Sequence, residues 1–205
     1  MIGRLIIRDL RRGLTGTAWL PLVFFLLIAA LMPFAVGPDA RLLARIAAGT
    51  LWIAALTAAL LPIDRLIEPD RADGVLDQLA VNGVAEESVA AAKIVAHWLT
   101  FAPLLLIAAV PASALLAMNA ASLLRVELAL AVGTPGLAAL AVAIAALTAG
   151  LPRASALAGL LLLPLAVPLL IFGVADSLLL EAAVSLLLTA GAPFVAGAAI
   201  RTGRT

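Results

Sequence analysis

Six long apolar runs constrain the fold of this chain more than any other feature. None contains Asp, Glu, Lys or Arg, and they cover residues 18–36, 46–63, 94–118, 128–151, 154–175 and 182–200. A helix that crosses a bilayer needs about 20 mostly apolar residues. The chain is 65% hydrophobic and only 12% charged, whereas soluble domains carry about 25% charged residues. These features predict an all-α integral membrane protein, a single transmembrane domain over residues 1–205 with six spanning helices.

Residues 1–16 are predicted to form an amphipathic helix that lies flat on the membrane. Arg4, Arg8 and Arg12 recur every four residues on one helical face. Apolar side chains share another face: Ile2, Leu5, Ile6 and Leu10. An interfacial helix of this kind turns its arginines towards lipid phosphates. The alternative is a disordered basic tail that only fixes orientation.

A single long polar segment, residues 64–93, interrupts the apolar runs. It holds seven of the twelve acidic residues and the only lysine, Lys93. A short helix is predicted within it, because Leu76 and Leu79 fall on one helical face. Asp73 is its expected N-cap, and Gly74 permits a tight entry. Such a helix below two spans is suited to dock a partner, and an ordinary solvated loop is the alternative.

The basic residues predict an orientation. If the N-terminus is cytoplasmic, the outer segments hold only three of the thirteen Lys and Arg residues: Arg41, Arg45 and Arg125. The other ten lie inside: Arg4, Arg8, Arg11, Arg12, Arg65, Arg71, Lys93, Arg153, Arg201 and Arg204. This bias follows the positive-inside rule. It predicts cytoplasmic termini and a cytoplasmic 64–93 segment.

Several chemistries are excluded or disfavoured by what the sequence contains. A Walker A motif needs a lysine after a glycine-rich loop, and the sole lysine stands in Ala-Ala-Lys-Ile. Any ATP hydrolysis would therefore belong to a partner chain. Ion-coupled carriers keep charged groups within the membrane, which the six runs lack. His97 is a weak candidate for binding metal or haem iron, because a zinc site needs three protein ligands and the chain has no cysteine. An interfacial histidine beside Trp98 is the ordinary interpretation.

Proline and tryptophan positions give two smaller predictions. Pro164 and Pro168, four residues apart in the fifth run, predict a kinked or broken helix, with packing irregularity as the alternative. Trp19 and Trp98 fall where aromatic belts form at membrane interfaces. Trp52 falls inside the second run, where packing is its expected role.

Seven stretches together resemble a known family. They are Gly-Pro-Asp at 37–39, Leu-Leu-Ala-Arg-Ile-Ala at 42–47, Leu-Trp-Ile-Ala-Ala-Leu at 51–56, Asp-Arg-Ala-Asp-Gly-Val-Leu-Asp-Gln-Leu at 70–79, Ala-Lys-Ile-Val-Ala-His-Trp at 92–98, Gly-Thr-Pro at 133–135 and Leu-Pro-Leu-Ala-Val-Pro-Leu-Leu-Ile-Phe at 163–172. In this order they resemble the CcmB family, the ABC-2 type (type V exporter-like) permease subunits of the cytochrome c maturation system. The family's loop pattern is similar to Phe-x-x-Asp-x-x-Asp-Gly-Ser-Leu. Ile67 and Val75 depart from it here.

The resemblance implies a non-catalytic subunit that docks on a partner ATPase through the 64–93 loop. The predicted coupling residues are Asp70, Asp73, Gly74, Leu76, Asp77 and Leu79. The two leucines would bury apolar surface on the ATPase, and the aspartates would match its basic residues. His97 remains a weak candidate site, and no metal site is expected.

The resemblance also implies an assembly in the bacterial inner membrane. Two copies of the chain would pair with two CcmA-type ATPases beside CcmC and CcmD, and would work with the haem chaperone CcmE. Haem is the implied handled substrate and ATP is bound by the partner, with no firmly bound cofactor in this chain and no nucleic acid partner. The alternatives are an ABC-2 permease for lipid or polysaccharide, an ion-coupled carrier, or a non-transporting scaffold.

Overall fold

The computed structural model describes residues 1–15 and 19–203, and helices make up nearly all of that part. The predicted helix end at Gly16, the predicted first-span start at Ala18, and Arg204 lie outside the described residues. The helices in chain order are α1 (Ile2–Thr15), α2 (Trp19–Val36), α3 (Ala40–Leu60), α4 (Glu68–Ala72), α5 (Val75–Val81), α6 (Glu86–Leu115), α7 (Ala120–Thr148), α8 (Ala154–Val174) and α9 (Leu178–Thr202), with a 3₁₀ turn at Ile63–Arg65.

Six of these helices are long and apolar enough to cross a membrane: α2, α3, α6, α7, α8 and α9. The prediction of an all-α membrane protein with six spans is therefore confirmed. Several helices begin before the apolar run they contain. Asp39 caps α3, since its side chain accepts hydrogen bonds from the backbone N–H groups of Arg41 (2.8 Å) and Leu42 (3.2 Å). Arg41 therefore lies in the first turn of a helix and not in a loop.

The connections between the helices define two ends of the bundle. The loop end carries α1, residues 61–85, the turn at 149–153 and the end of α9. The far end carries the short connections at 37–39, 116–119 and 175–177. Helix α7 is the most enclosed span and packs against α3, α6, α8 and α9. Helices α2 and α9 turn most of their surface outward, as lipid-facing helices do.

Helix α8 is continuous from Ala154 to Val174, so the fifth helix is not broken at Pro164 and Pro168, and a kink there stays a prediction. Both prolines are exposed on the outer side of α8. The inner side is a stripe of buried residues: Ala158, Leu162, Ala166, Leu169 and Gly173. The proline rings therefore face away from the packed side of the helix.

Candidate functional site

The polar segment between α3 and α6 folds into two short helices at the loop end. Helix α4 ends at Asp73, and α5 begins directly after Gly74, whose φ of 69° lies in the left-handed region. This conformation favours glycine. The prediction that Asp73 caps the second helix is wrong, because Gly74 occupies the N-cap position and no side chain caps α5 there. Asn82 and Gly83 end α5.

Asp70 is the electrostatic centre of this segment. Its carboxylate is 2% exposed and lies 2.6 Å from Nζ of Lys93 on α6. It also accepts hydrogen bonds from Arg8 at 2.6 Å and Arg12 at 3.0 Å. Asp9 completes the group by contacting both Lys93 (3.1 Å) and Arg8 (2.6 Å). We call these five residues the Asp70 cluster; it joins α1, α4 and α6.

The cluster changes the interpretation of α1. Arg8 and Arg12 were expected to face lipid phosphates, but both reach Asp70, whereas Arg4 is exposed. Partial burial acts to lower the pKa of the Arg8 guanidinium, yet the carboxylates of Asp9 and Asp70 outweigh it, and the pKa is raised. Arg8 therefore serves as a permanent cation that links α1 to the loop.

Apolar side chains anchor the same segment from within. Ile67 is 1% exposed and Leu76 is 5% exposed, and both belong to the hydrophobic core of the bundle. Leu79 is half-buried against that core. Neither Leu76 nor Asp70 is accessible here, so both hold the loop from within, and the coupling role predicted for them stays a prediction.

The exposed surface of the two short helices is mixed, with Pro69 and Ala72 among the polar residues of α4 and Val81 at the tip of α5. Asp73, Asp77 and Gln78 are exposed. Val81, the last residue of α5, is 89% exposed. Single exposed apolar side chains are common on protein surfaces, so exposure alone does not assign Val81 a partner.

Further bonds tie the segment to the turn between α7 and α8. Glu68 accepts a hydrogen bond from the backbone N–H of Gly150 (2.8 Å) and pairs with Arg71 (2.7 Å). Ser155 at the start of α8 donates to Asp64 (2.8 Å). Movement of the loop would therefore be transmitted to α7 and α8 as well as to α6.

A cavity of about 290 Å³ lies between α1, the loop and α6. Asp70, Lys93, His97 and Phe101 are among its lining residues. His97 is buried, at 4% exposure, and its ring stacks on Phe101 with centroids 4.8 Å apart. His97 is thus enclosed by the protein, and its place at a membrane interface stays a prediction. Among the described residues, no group of three His, Cys, Asp or Glu side chains could hold a metal ion.

A second polar group lies inside the bundle, where the sequence indicated none. Glu181 on α9 is fully buried beside Gly133 of α7. Trp52 is also fully buried and fits between Gly133 and Gly173 of α8. Trp98, expected at an interface, donates instead to buried Thr134 (3.1 Å). The expectation that no acidic residue lies within the spans is wrong, because α9 starts at Leu178 and not at 182.

A family model described as CcmB protein matches residues 1–203. The chain belongs to the CcmB family. It is 43% identical to the Heme exporter protein B of Rhodobacter capsulatus over 96% of this chain and 97% of that protein. Identity to the Heme exporter protein B of Paracoccus denitrificans is 41% over the same shares. The Escherichia coli K12 protein of that name is 38% identical over 76% of this chain and 70% of its own length.

The loop pattern by which this chain resembles other CcmB sequences divides into two sets of residues. Ile67, Asp70 and Leu76 are buried and hold the loop against the bundle. Asp73 is exposed, and Gly74 forms the corner between α4 and α5. In this member of the CcmB family the pattern therefore describes how the loop is fixed in place, and the accessible residues lie mostly beyond it.

Proposed function

We propose that this chain is the permease subunit of an ATP-driven complex for haem export and c-type cytochrome maturation. Membership of the CcmB family and the full-length similarity to proteins named Heme exporter protein B support this function. The chain lacks a Walker A motif, so we assign ATP binding and hydrolysis to a partner ATPase of CcmA type. The work delivered is haem transfer or the release of a haem-loaded periplasmic chaperone of CcmE type.

We assign the loop end to the cytoplasm of a bacterial inner membrane. The excess of Lys and Arg at that end supports this orientation. Helix α1 would lie in the interface, since it packs on α6 yet leaves Ile2, Ile7 and Leu14 exposed to the lipid boundary. Both termini would then be cytoplasmic, and the far end would face the periplasm.

The ATPase would dock on the outer face of α4 and α5. Val81 is its apolar anchor, and full burial of a valine contributes about 1.5–3 kcal/mol. Asp73 and Asp77 are also exposed and would match basic residues of the ATPase, which favours specificity over affinity. Leu79 packs against the core behind this face. Gly74 forms the corner between α4 and α5.

Coupling would pass through the anchored side of the loop. Asp70 is bonded to Lys93 of α6 and to Arg8 and Arg12 of α1. Glu68 is bonded to the turn before α8. A push on α5 would therefore move α1, α6 and α8 together. The complete assembly would contain two copies of this chain and two ATPases, with CcmC and CcmD beside them.

Purification with matched variants tests the docking surface. Val81→Asp places a charge at the exposed tip of α5, and Ala121→Asp places the same charge on an exposed residue at the far end. We expect the unmodified chain and Ala121→Asp to co-purify with an ATPase and to stimulate its ATP hydrolysis. Val81→Asp should insert normally and lose both properties.

The identity of the co-purified chains separates the function from its alternatives. An ATPase together with a haem-binding protein supports haem export. An ATPase with lipid or polysaccharide enzymes would indicate a permease for another substrate. Recovery of the chain without any ATPase would contradict the permease function.

A further inference from the structure

Glu181 is an acidic side chain enclosed within the bundle, in the first turn of α9. Its exposure is 0%, and neither carboxylate oxygen has a hydrogen-bond partner within the described part of the chain. Trp52 also lies beside Gly133. Its indole N–H is buried and has no hydrogen-bond acceptor within the described residues. Charged groups within membrane helices are costly, and they mark ion or proton sites.

Glu181 lies on a tight seam between α7 and α9. A Cβ atom added to Gly133 would lie 2.5 Å from Oε1 of Glu181. One turn further along α9, Ser185 accepts a hydrogen bond from the backbone N–H of Gly136 at 3.0 Å. We call these two contacts, Gly133 with Glu181 and Gly136 with Ser185, the α7–α9 seam. The two helices run parallel there, and only glycine permits so close an approach.

The charged groups of the surrounding helices are engaged elsewhere or lie away from the seam. Arg125 of α7 pairs with Asp176 across 3.6 Å at the far end, and Glu127 is half-buried two turns before Gly133. On α6, Lys93 binds the Asp70 cluster, His97 stacks on Phe101, and Glu86 and Glu87 contact Arg201. Helix α8 has no charged residue, and those of α3 are Arg41 and Arg45, in its first two turns.

These surroundings decide which ligand Glu181 can take while the seam is closed. A metal cation such as Ca²⁺ needs about six to eight oxygen ligands, and only Glu181 and Ser185 offer side-chain oxygens on α9 at the seam. An ionised carboxylate without a partner is strongly disfavoured in an apolar interior. A proton needs no other ligand and removes the charge.

We propose that Glu181 is a proton-binding site that is occupied while the α7–α9 seam is closed and empties when the seam opens. Separation of the helices admits water to the carboxylate and releases the proton. The opening of the bundle is thereby linked to protonation. This inference concerns the chain itself and does not depend on the exported substrate or on the ATPase.

Infrared spectroscopy of the full chain in lipid nanodiscs tests the site, because a protonated carboxyl absorbs apart from carboxylates and amides. At neutral pH we expect a protonated-carboxyl band that is absent in Glu181→Gln and retained in Asp176→Asn, whose exposed carboxyl lies five residues away. If Glu181→Gln does not fold, the band of the unmodified chain still reports the site. Its absence at neutral pH would overturn the proposal.

Hydrogen exchange tests the link to the seam. As the pH rises and the band disappears, the backbone N–H groups of Gly133, Thr134 and Gly136 should exchange faster, since that of Gly136 loses its acceptor Ser185. Glu181→Gln has no carboxyl group at this position. In this variant the exchange of the same amides should rise with pH only as the intrinsic exchange rate does. Loss of the band without faster exchange at these residues would also overturn the proposal.

Discussion

Lys93 and Asp70 form a salt bridge of 2.6 Å whose two side chains are only 5% and 2% exposed. They lie 23 residues apart, on the first third of a membrane helix and in the short helix before it. Removal of one partner from a buried pair leaves an uncompensated charge, which is more damaging than loss of the attraction itself. The pair therefore fixes the loop to the span that it would move.

Asp70→Asn should destabilise the folded chain by about 3 kcal/mol, the lower end of the cost of breaking a buried pair, because Asp9 still contacts Lys93. Denaturant titration in mixed micelles would measure the change in the free energy of unfolding. Asp73→Asn is the matched control, since Asp73 is exposed on the same loop; its effect should stay within about 0.5 kcal/mol. Equal effects of the two substitutions would refute the cluster's role.

Arg8→Gln should loosen α1 without unfolding the bundle. Arg8 is 30% exposed, so solvent screening limits the loss to about 1 kcal/mol. Amide hydrogen exchange over Ile2–Thr15 should quicken. Arg4→Gln removes an exposed arginine from the same helix and should leave exchange unchanged. If both variants behaved alike, α1 would be held by its apolar side chains alone.

Leu76→Ala should destabilise the chain by about 2–5 kcal/mol, as expected for truncation of a buried leucine. Val81→Ala, one turn further along α5, should change stability by no more than about 0.5 kcal/mol because Val81 is exposed. The order should reverse for ATPase binding. Per folded molecule, Val81→Ala should weaken binding of the ATPase more than Leu76→Ala does. Thermal unfolding and ATPase pull-down measure the two effects.

Gly133→Ala should destabilise the bundle by about 1–3 kcal/mol, the range for overpacking a core. Its new methyl group would meet the ring of Trp52 and Oε1 of Glu181, both fully buried. Gly49→Ala in α3 is the control, because no atom lies within 4 Å of the added Cβ. That change should stabilise the helix by about 0.5–1 kcal/mol. A neutral Gly133→Ala would mean that the α7–α9 seam is loose.

The number and order of the spans could be predicted because hydrophobic length is a local property of the sequence. The partners of Asp70 could not, since Arg8 is 62 residues earlier and nothing local links them. The same limit explains Leu76: periodicity placed it on one face of a helix but could not tell whether that face met the bundle or a partner. Glu181 was missed because an acidic residue at the edge of an apolar run is ordinarily taken as the end of the span.

Site-specific crosslinking most directly tests the central claim that the exposed tip of α5 is the ATPase contact. A photoreactive residue would replace Val81 in native membranes, with the same residue at Ala121 as the control, and captured chains would be identified by mass spectrometry. The account predicts that an ATPase subunit is captured from position 81 and not from position 121. No ATPase captured from position 81, or equal capture from both positions, would contradict it.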